Sequence, residues 1–228
     1  MKKETIIISL GGSLIAPDDI DTKFIKSFRK FLDSQIKKGR RFILICGGGK
    51  TARRYMNALP KIRKCTRDES DWMGIHSTEL NARLIQSAYK DIAEKEIVFD
   101  PRKKANFKKP LLIAYAWKPG WSTDYDAVLH AVTQKIKKVI NLSNIEYVYD
   151  KDPNKCKDAK KIILIDWQTF RKDIVGFVWK SGLNMPFDPI ASKLAQKHKL
   201  EVAIMKGSDI KNLANYLDGK NFKGTIIR

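Results

Sequence analysis

Metal ligands and disulfide partners are scarce in this chain. Its 228 residues contain only 3 cysteines and 3 histidines. Cys46, Cys65 and Cys156 are odd in number and far apart, and His76, His130 and His198 are equally scattered. That spacing fits neither a zinc site nor a disulfide framework, so reduced thiols and no bound metal are expected. A run of about 18 apolar residues, enough to cross a bilayer, is also missing. Residues 1–5 lead straight into the apolar segment 6–10, which is too short and too soon broken by glycine to be a signal peptide. A cytoplasmic location with no membrane partner is expected.

Acidic residues are the third shortage. The chain has 25 Asp and Glu against 45 Lys and Arg, a formal net charge of +20. Such an excess invites a nucleic-acid reading. The charge is spread along the whole chain, however, and no ribonucleoprotein-type aromatic pattern, zinc finger or basic stripe interleaved with aromatics is found. A lysine-rich surface that draws in small anions accounts for the charge, and nucleic acid is not the expected partner. Internal repeats and low-complexity linkers are absent too.

Hydrophobic residues make up 43% of the chain, enough for a sizeable core. Short apolar runs recur at Ile6 to Leu10, Phe42 to Cys46, Ile97 to Phe99, Leu111 to Tyr115, Val139 to Leu142 and Val202 to Met205. Continuous runs of this length suit strands buried on both faces of a parallel sheet. Between them lie amphipathic stretches. Phe24, Ile25, Phe28, Phe31, Leu32 and Ile36 share a helical face, as do Leu80, Leu84, Ile85 and Ala88, and Ile190, Leu194, Ala195 and His198. Alternating strand and helix predicts an α/β fold with a doubly wound, mostly parallel sheet and helices on both faces, three layers in all. Gly39 reads as a helix stop, and Asp188-Pro189 as an N-cap followed by a first-turn proline. Residues 60–70 read as a mobile connection and 150–161 as an exposed loop.

In such a sheet, ligands bind beyond the carboxyl ends of the strands. Those positions hold Gly11-Gly12-Ser13, Gly47-Gly48-Gly49-Lys50, the stretch 116–124, Ser143-Asn144 with Tyr149 and Asp152, and Lys206-Gly207. Glycines there allow close backbone approach to phosphate, and the N-terminus of a following helix favours anions. GGGKT is not a Walker A motif, because the opening glycine of G-x-x-x-x-G-K-S/T would have to be Leu44. Neither turn spells G-x-G-x-x-G, which argues against a Rossmann dehydrogenase. Arg53, one turn into the next helix, can reach a phosphate with its planar fork. Thr123 and Asp124 supply a hydroxyl and a carboxylate, and Tyr149 and Asp152 could face a base and a ribose. Phosphoryl transfer, which needs charge neutralisation and alignment more than a covalent nucleophile, is the reaction these groups suit.

Taken in order, the segments LGGSLI (10–15), CGGGKTARRY (46–55), DWMGIHSTELNARL (71–84), KPGWSTD (118–124), NLSNIEYVYDKDP (141–153) and PFDPIASKLA (186–195) resemble the amino acid kinase superfamily. Within it they are similar to the archaeal-type UMP kinases. The resemblance covers nearly the whole chain. It implies one domain over residues 1–228, with an acceptor lobe at about 1–125 and an ATP lobe at about 126–228. It implies ATP and UMP as substrates, magnesium carried by the nucleotide, and a homo-oligomer, commonly a hexamer.

The residue roles follow the same resemblance. Gly11, Gly12, Ser13, Lys50, Arg53, Asp124 and Asp188 are the catalytic candidates. Gly49, Arg53, Ser143, Asn144, Tyr149 and Asp152 would hold ATP. Gly48, Asp71, Trp117, Lys118, Pro119, Gly120, Trp121, Ser122 and Thr123 would hold UMP. One departure stands out. Many relatives carry lysine two residues before the first glycine, where this chain has Ser9, and Lys50 is the candidate replacement. Alternatives are a kinase of the same fold for isopentenyl phosphate or an amino acid, and a non-catalytic nucleotide- or RNA-binding protein. Residues 50–58 lack the histidine that isopentenyl phosphate kinases carry there.

Overall fold

The apolar runs become strands because β-branched and large aliphatic side chains pack well on both faces of a pleated surface. In the computed structural model, which describes residues 4–178 and 185–228, the first run is β1 (Thr5–Leu10) and the second β2 (Arg41–Cys46). Residues 1–3, part of the stretch read against a signal peptide, lie outside the described residues. The chain continues through β3 (Ala93–Val98), β4 (Leu111–Ala114), β5 (Lys138–Ser143), β6 (Val148–Tyr149), β7 (Lys161–Ile162), β8 (Leu164–Ile165), β9 (Glu201–Lys206) and β10 (Thr225–Ile227). Helices α1 (Gly12–Ile15), α2 (Thr22–Lys37), α3 (Gly49–Ile62), α4 (Arg67–Ala88), α5 (Thr123–Gln134), α6 (Trp167–Thr169), α7 (Pro189–Lys197) and α8 (Ile210–Leu217) are interspersed, and a π-helical stretch, Phe170–Val175, follows α6.

Among the described residues, eight strands form the main sheet in the order β3-β4-β2-β1-β5-β9-β10-β8. The pairs from β3 to β9 are parallel, β10 runs antiparallel to β9, and β8 runs parallel to β10. The doubly wound, mostly parallel fold read from the sequence is therefore present. Strand alternation divides the core. Ile6, Ile8 and Leu10 join one hydrophobic cluster with α2, α4 and α8, while Ile7 joins the other with α5, α7 and the π-helical stretch. Each fully buried Ile, Leu or Phe contributes about 1.5–3 kcal/mol.

Several local expectations hold. Asp188 caps α7 by accepting from Ile190 and Ala191 N–H, with Pro189 in its first turn. Gly39 follows α2 at φ +86°, a left-handed conformation suited to glycine. Residues 150–160 form the exposed loop of the β6–β7 hairpin.

Three expectations are corrected. Residues 60–70 are not a mobile connection. Pro60 lies inside α3, and α4 opens on a capping box in which Thr66 and Glu69 satisfy each other's backbone N–H. Proline at 60 cannot donate to the Met56 carbonyl, and the Ser70 hydroxyl takes that acceptor at 3.3 Å. Leu80 is 64% exposed, and the buried face of α4 runs through Asp71, Ile75, Thr78, Ala82 and Ile85 instead. Polar residues on that face conceal its helical stripe. Strand β3 starts at Ala93 rather than Ile97, because an edge strand with a register irregularity needs no continuous apolar run.

The ends of β1 and β2 meet where the two glycine turns interlock. A Cβ on Gly12 would lie 2.0 Å from Gly49 N and 2.5 Å from Gly47 C, and one on Gly49 would lie 2.3 Å from Gly12 O. These are backbone atoms, which no rotamer change can move aside. Gly12→Ala is therefore expected to cost at least about 3 kcal/mol in denaturant unfolding. Gly219→Ala, at φ +68° with open space around it, should cost only about 1–2 kcal/mol.

Candidate functional site

The carboxyl edge of the sheet carries two cavities, of about 550 Å³ and about 450 Å³. The larger is walled by Ser13 of α1, by Gly48 and the start of α3 (Gly49, Ala52, Arg53, Met56), and by one face of α4 (Asp71, Gly74, Ile75, Thr78). The turn after β4 and the start of α5 close it with Ala116, Lys118, Trp121, Ser122 and Thr123. The smaller is walled by Ser143 and the β6–β7 hairpin, including Tyr149 and Asp152, and by Asp173, Ile174 and Met185. Asn144 lines both, so it marks their junction.

This geometry unites most of the sequence-derived residues. Ser13, Gly48, Gly49, Arg53, Asp71, Lys118, Trp121, Ser122 and Thr123 meet at the first cavity, and Ser143, Asn144, Tyr149 and Asp152 at the second. Others lie behind the walls. Gly11 donates its N–H to the Leu142 carbonyl at 2.9 Å, and Gly12 is packed against the second glycine turn. Lys50 is paired with the Asp18 carboxylate and lines neither cavity. Arg53 and Lys118 are the cations on the first wall. Trp117 is turned away from it, with Arg102 and Lys118 charges 4.5 Å and 4.4 Å from its ring centre. Gly120 sits in the same turn at φ +79°, just after Pro119.

The turn at 116–122 is fastened by side chains. Thr78 accepts from Ala116 N–H, Asp126 from Trp117 N–H and Asp71 from Gly120 N–H, each at 3.0 Å, and the Ser122 hydroxyl donates to Asp188. Asp71 spends only one oxygen on this. Its Oδ1 is buried without a protein partner on the wall of the first cavity. Thr78, Gly74 and Met56 belong to this wall as well and were not singled out from the sequence. Their one signal was membership of the segments 46–55 and 71–84 or the turn just beyond.

Beneath the cavities lies a knot of carboxylates. Asp124 Oδ1 accepts from the Ser9 hydroxyl at 3.1 Å and from Asn141 Nδ2 at 2.8 Å. Both donors are neutral. Burial, followed by the charge of Asp188, pushes the Asp124 carboxyl up to about 7. Burial likewise raises Asp188. Among the described residues, no group of three or more His, Cys, Asp or Glu could hold a metal ion. No helix among them is long and apolar enough to cross a membrane.

Two adjoining cavities over a mostly parallel sheet, the first walled by Arg53, Lys118 and the first residues of α3 and α5, are an arrangement suited to a pair of ligands, one of them anionic. Known proteins narrow this. The model of the amino acid kinase family matches residues 4–112 and 119–206. The uridylate kinase of Thermoplasma volcanium is 33% identical over 95% of this chain and 94% of its own. That of Thermococcus onnurineus is 32% identical over 97% and 98%. The crystal structure of uridylate kinase from Archaeoglobus fulgidus aligns with a TM-score of 0.81 at 26% identity, covering 98% of this chain and 99% of that one. The chain belongs to the amino acid kinase family.

Asp124 yields a stability prediction. Its folded carboxyl holds a proton from the ordinary value of 3.8 up to about 7, a range in which the unfolded chain has lost it. Stability contributed by this group must fall as pH rises through that window. Asp124→Asn keeps an oxygen for Ser9 and Asn141 but cannot ionise. Its melting temperature should decline less than that of the wild type between pH 4 and pH 8, and equal declines would refute the assignment.

Proposed function

We propose that this protein is a UMP kinase, transferring the γ-phosphoryl group of ATP to UMP to give UDP and ADP in pyrimidine nucleotide biosynthesis. The pair of cavities joined at Asn144 carries this reading, supported by near-full-length similarity to uridylate kinases. Direct transfer requires two phosphates aligned end to end, and a shared wall residue places such ligands side by side.

UMP occupies the first cavity. The unpartnered Asp71 Oδ1 is an acceptor for a ribose hydroxyl, and a buried carboxylate oxygen left unpaired is costly enough to select for one. Arg53, Lys118 and the N-terminus of α3 at Gly49 hold the phosphate, Thr123 adds a hydroxyl donor, and Trp121 offers a face to the base. ATP occupies the second cavity, with Tyr149 and Asp152 at its nucleoside and Ser143 and Asn144 towards the junction. Asp124, fixed by Ser9 and Asn141 and joined to Asp188 through the Asp188 N–H, orders the floor beneath the transferring group. The lobes then divide at about residue 125, with the acceptor lobe first.

The described residues form no cage for a resident ion. Magnesium would therefore arrive on the donor phosphates, where it would offset their negative charge. A homo-oligomer, a hexamer by resemblance, completes the reading. Exposed Tyr55 and Ile62 of α3 and Trp72 and Leu80 of α4 supply apolar area of the kind subunit contacts use.

With ATP and magnesium, UMP should be phosphorylated faster than CMP, AMP, GMP, isopentenyl phosphate or an acidic amino acid. A different preferred acceptor would move the protein to another branch of the family. No turnover at all, with tight salt-sensitive RNA binding, would favour a non-catalytic role. Arg53→Ala, which loses a charge, and Asp124→Ala, which loses the acceptor for Ser9 and Asn141, should each lower kcat by about tenfold or more, since loss of a charge or an aligning group at such sites commonly costs that much. Full kcat in both variants would remove them from the site.

A further inference from the structure

Asp126 holds no ligand and joins no reacting group in the reading above. It lines neither cavity, yet it is only 1% exposed. Its Oδ2 accepts from the Trp117 N–H at 3.0 Å, and its Oδ1 is buried without a protein partner. An aspartate in the first turn of α5 could equally face solvent, as the helix N-terminus would favour it there too. Burying it beside Asp124 and Asp188 is unfavourable and calls for a compensating function.

We infer that Asp126 is a positioning residue for the acceptor site: it pins the turn at 116–122 through the Trp117 amide and so sets where Lys118 and Trp121 stand on the first cavity wall. This rests on the reading of that cavity as the acceptor site. The turn's other fastenings enter from α4, through Thr78 and Asp71, and from α7, through Asp188. Ser122 caps α5 from the far end of the turn, through the Tyr125 N–H, and Asp126 reaches back from α5 to the near end, where its bond falls on the residue just before Lys118. Without it, the backbone between Ala116 and Gly120 keeps no hydrogen bond to a side chain among the described residues.

The surroundings favour the protonated acid. Around Asp126 stand Asp124 and Asp188, whose charges oppose its own, and the Tyr125 hydroxyl, itself raised in part by Asp126. Arg102 and Lys118 lie over the Trp117 ring rather than on the carboxyl, and Asp100, paired with Arg102, acts on His130. Burial is the largest cause that lifts Asp126 to about 8 and drops His130 to about 4, so near pH 7 both are neutral. A neutral acid keeps its carbonyl oxygen for the Trp117 amide and has a hydroxyl left to donate. One turn further along α5, His130 Nδ1 is buried and unpartnered, and a turn beyond that Gln134 Nε2 is too. Ionisation would leave a charge with the Trp117 N–H as its one protein donor in the structure, beside two other acids, and would push the carboxylate and the turn it holds towards solvent.

The test uses the full-length protein. Asp126→Leu should raise the KM for UMP by about tenfold while changing kcat less, since the turn is misplaced and the reacting groups are not. It should also speed deuterium uptake in peptides covering 116–122 without any ligand. Asp126→Asn, which still accepts from the Trp117 amide, should restore both to within about twofold of the wild type. The wild-type KM should rise as pH passes from 7 to 9, and that of Asp126→Asn should not. If Asp126→Leu does not fold, the pH profiles of wild type and Asp126→Asn decide, and identical profiles overturn the inference. Unchanged uptake and KM in folded Asp126→Leu overturn it as well. Because deuterium uptake needs no substrate, a wrong acceptor identity would leave that result standing and fail only in the kinetic arm.

Discussion

The contact on which the site depends is backbone against backbone. Gly12 and Gly47-Gly48-Gly49 approach until no side chain fits between them, and this lock sits at the ends of the neighbouring strands β1 and β2. Gly47 N–H donates to the Leu10 carbonyl and Gly11 N–H to the Leu142 carbonyl, both at 2.9 Å, so β1 is tied to its two sheet neighbours beyond the regular ladder. Asn81 of α4 donates to the Gly47 carbonyl at 2.8 Å and carries the constraint into the helical layer. Helices α1 and α3 begin at the lock, and their first residues line the larger cavity. The glycines share two tasks. Gly11, Gly12, Gly47 and Gly49 make the close approach, and Gly48 and Gly49, with Ser13, line the larger cavity.

Electrostatics below that lock runs against the overall charge. A chain of +20 keeps three acids, Asp124, Asp126 and Asp188, packed together under the junction. Ser9 helps explain why they remain protonatable. A lysine at that position would place a full positive charge where the Ser9 hydroxyl now meets Asp124, and would hold the carboxyl down. With neutral donors on Asp124, burial dominates and the carboxyl rises. The positive charge at the larger cavity comes instead from Arg53 and Lys118 on its wall, where solvent makes a cation cheap to keep.

Much of this was legible in the sequence because the determining signals are local. Buried parallel strands leave unbroken apolar runs, and those fell within a residue or two of β1, β2, β5 and β9. Glycine and proline punctuation marked the Asp188 cap and the turn at 116–124. Less legible was whatever depends on the partner across a gap. The stripe of α4 was misread because its upper half faces a cavity, where Asp71 and Thr78 replace aliphatic residues. The 60–70 stretch looked like a loop because proline and charge usually mean one, but here Ser70 completes the carbonyl that Pro60 leaves open. Lys50 looked like a phosphate ligand from its place beside three glycines. Its direction was set by Asp18, more than thirty residues earlier, which no local pattern reports.

The fastening of the acceptor turn follows from the same geometry. A turn that must present Lys118 and Trp121 to a ligand cannot rely on its own packing, since several of its residues face open space. Hydrogen bonds from three helices replace that packing, and each helix is fixed to the sheet by buried aliphatic contacts. Binding a nucleotide then orders little that is not already ordered, which spares the entropy that a free loop would lose. Asp188 extends the arrangement to the other side of the junction, because it receives the Ser122 hydroxyl and caps α7. The turn at 116–122 and the start of α7 are therefore held in one hydrogen-bonded unit, and groups fixed in this way need no reorganisation to meet a ligand.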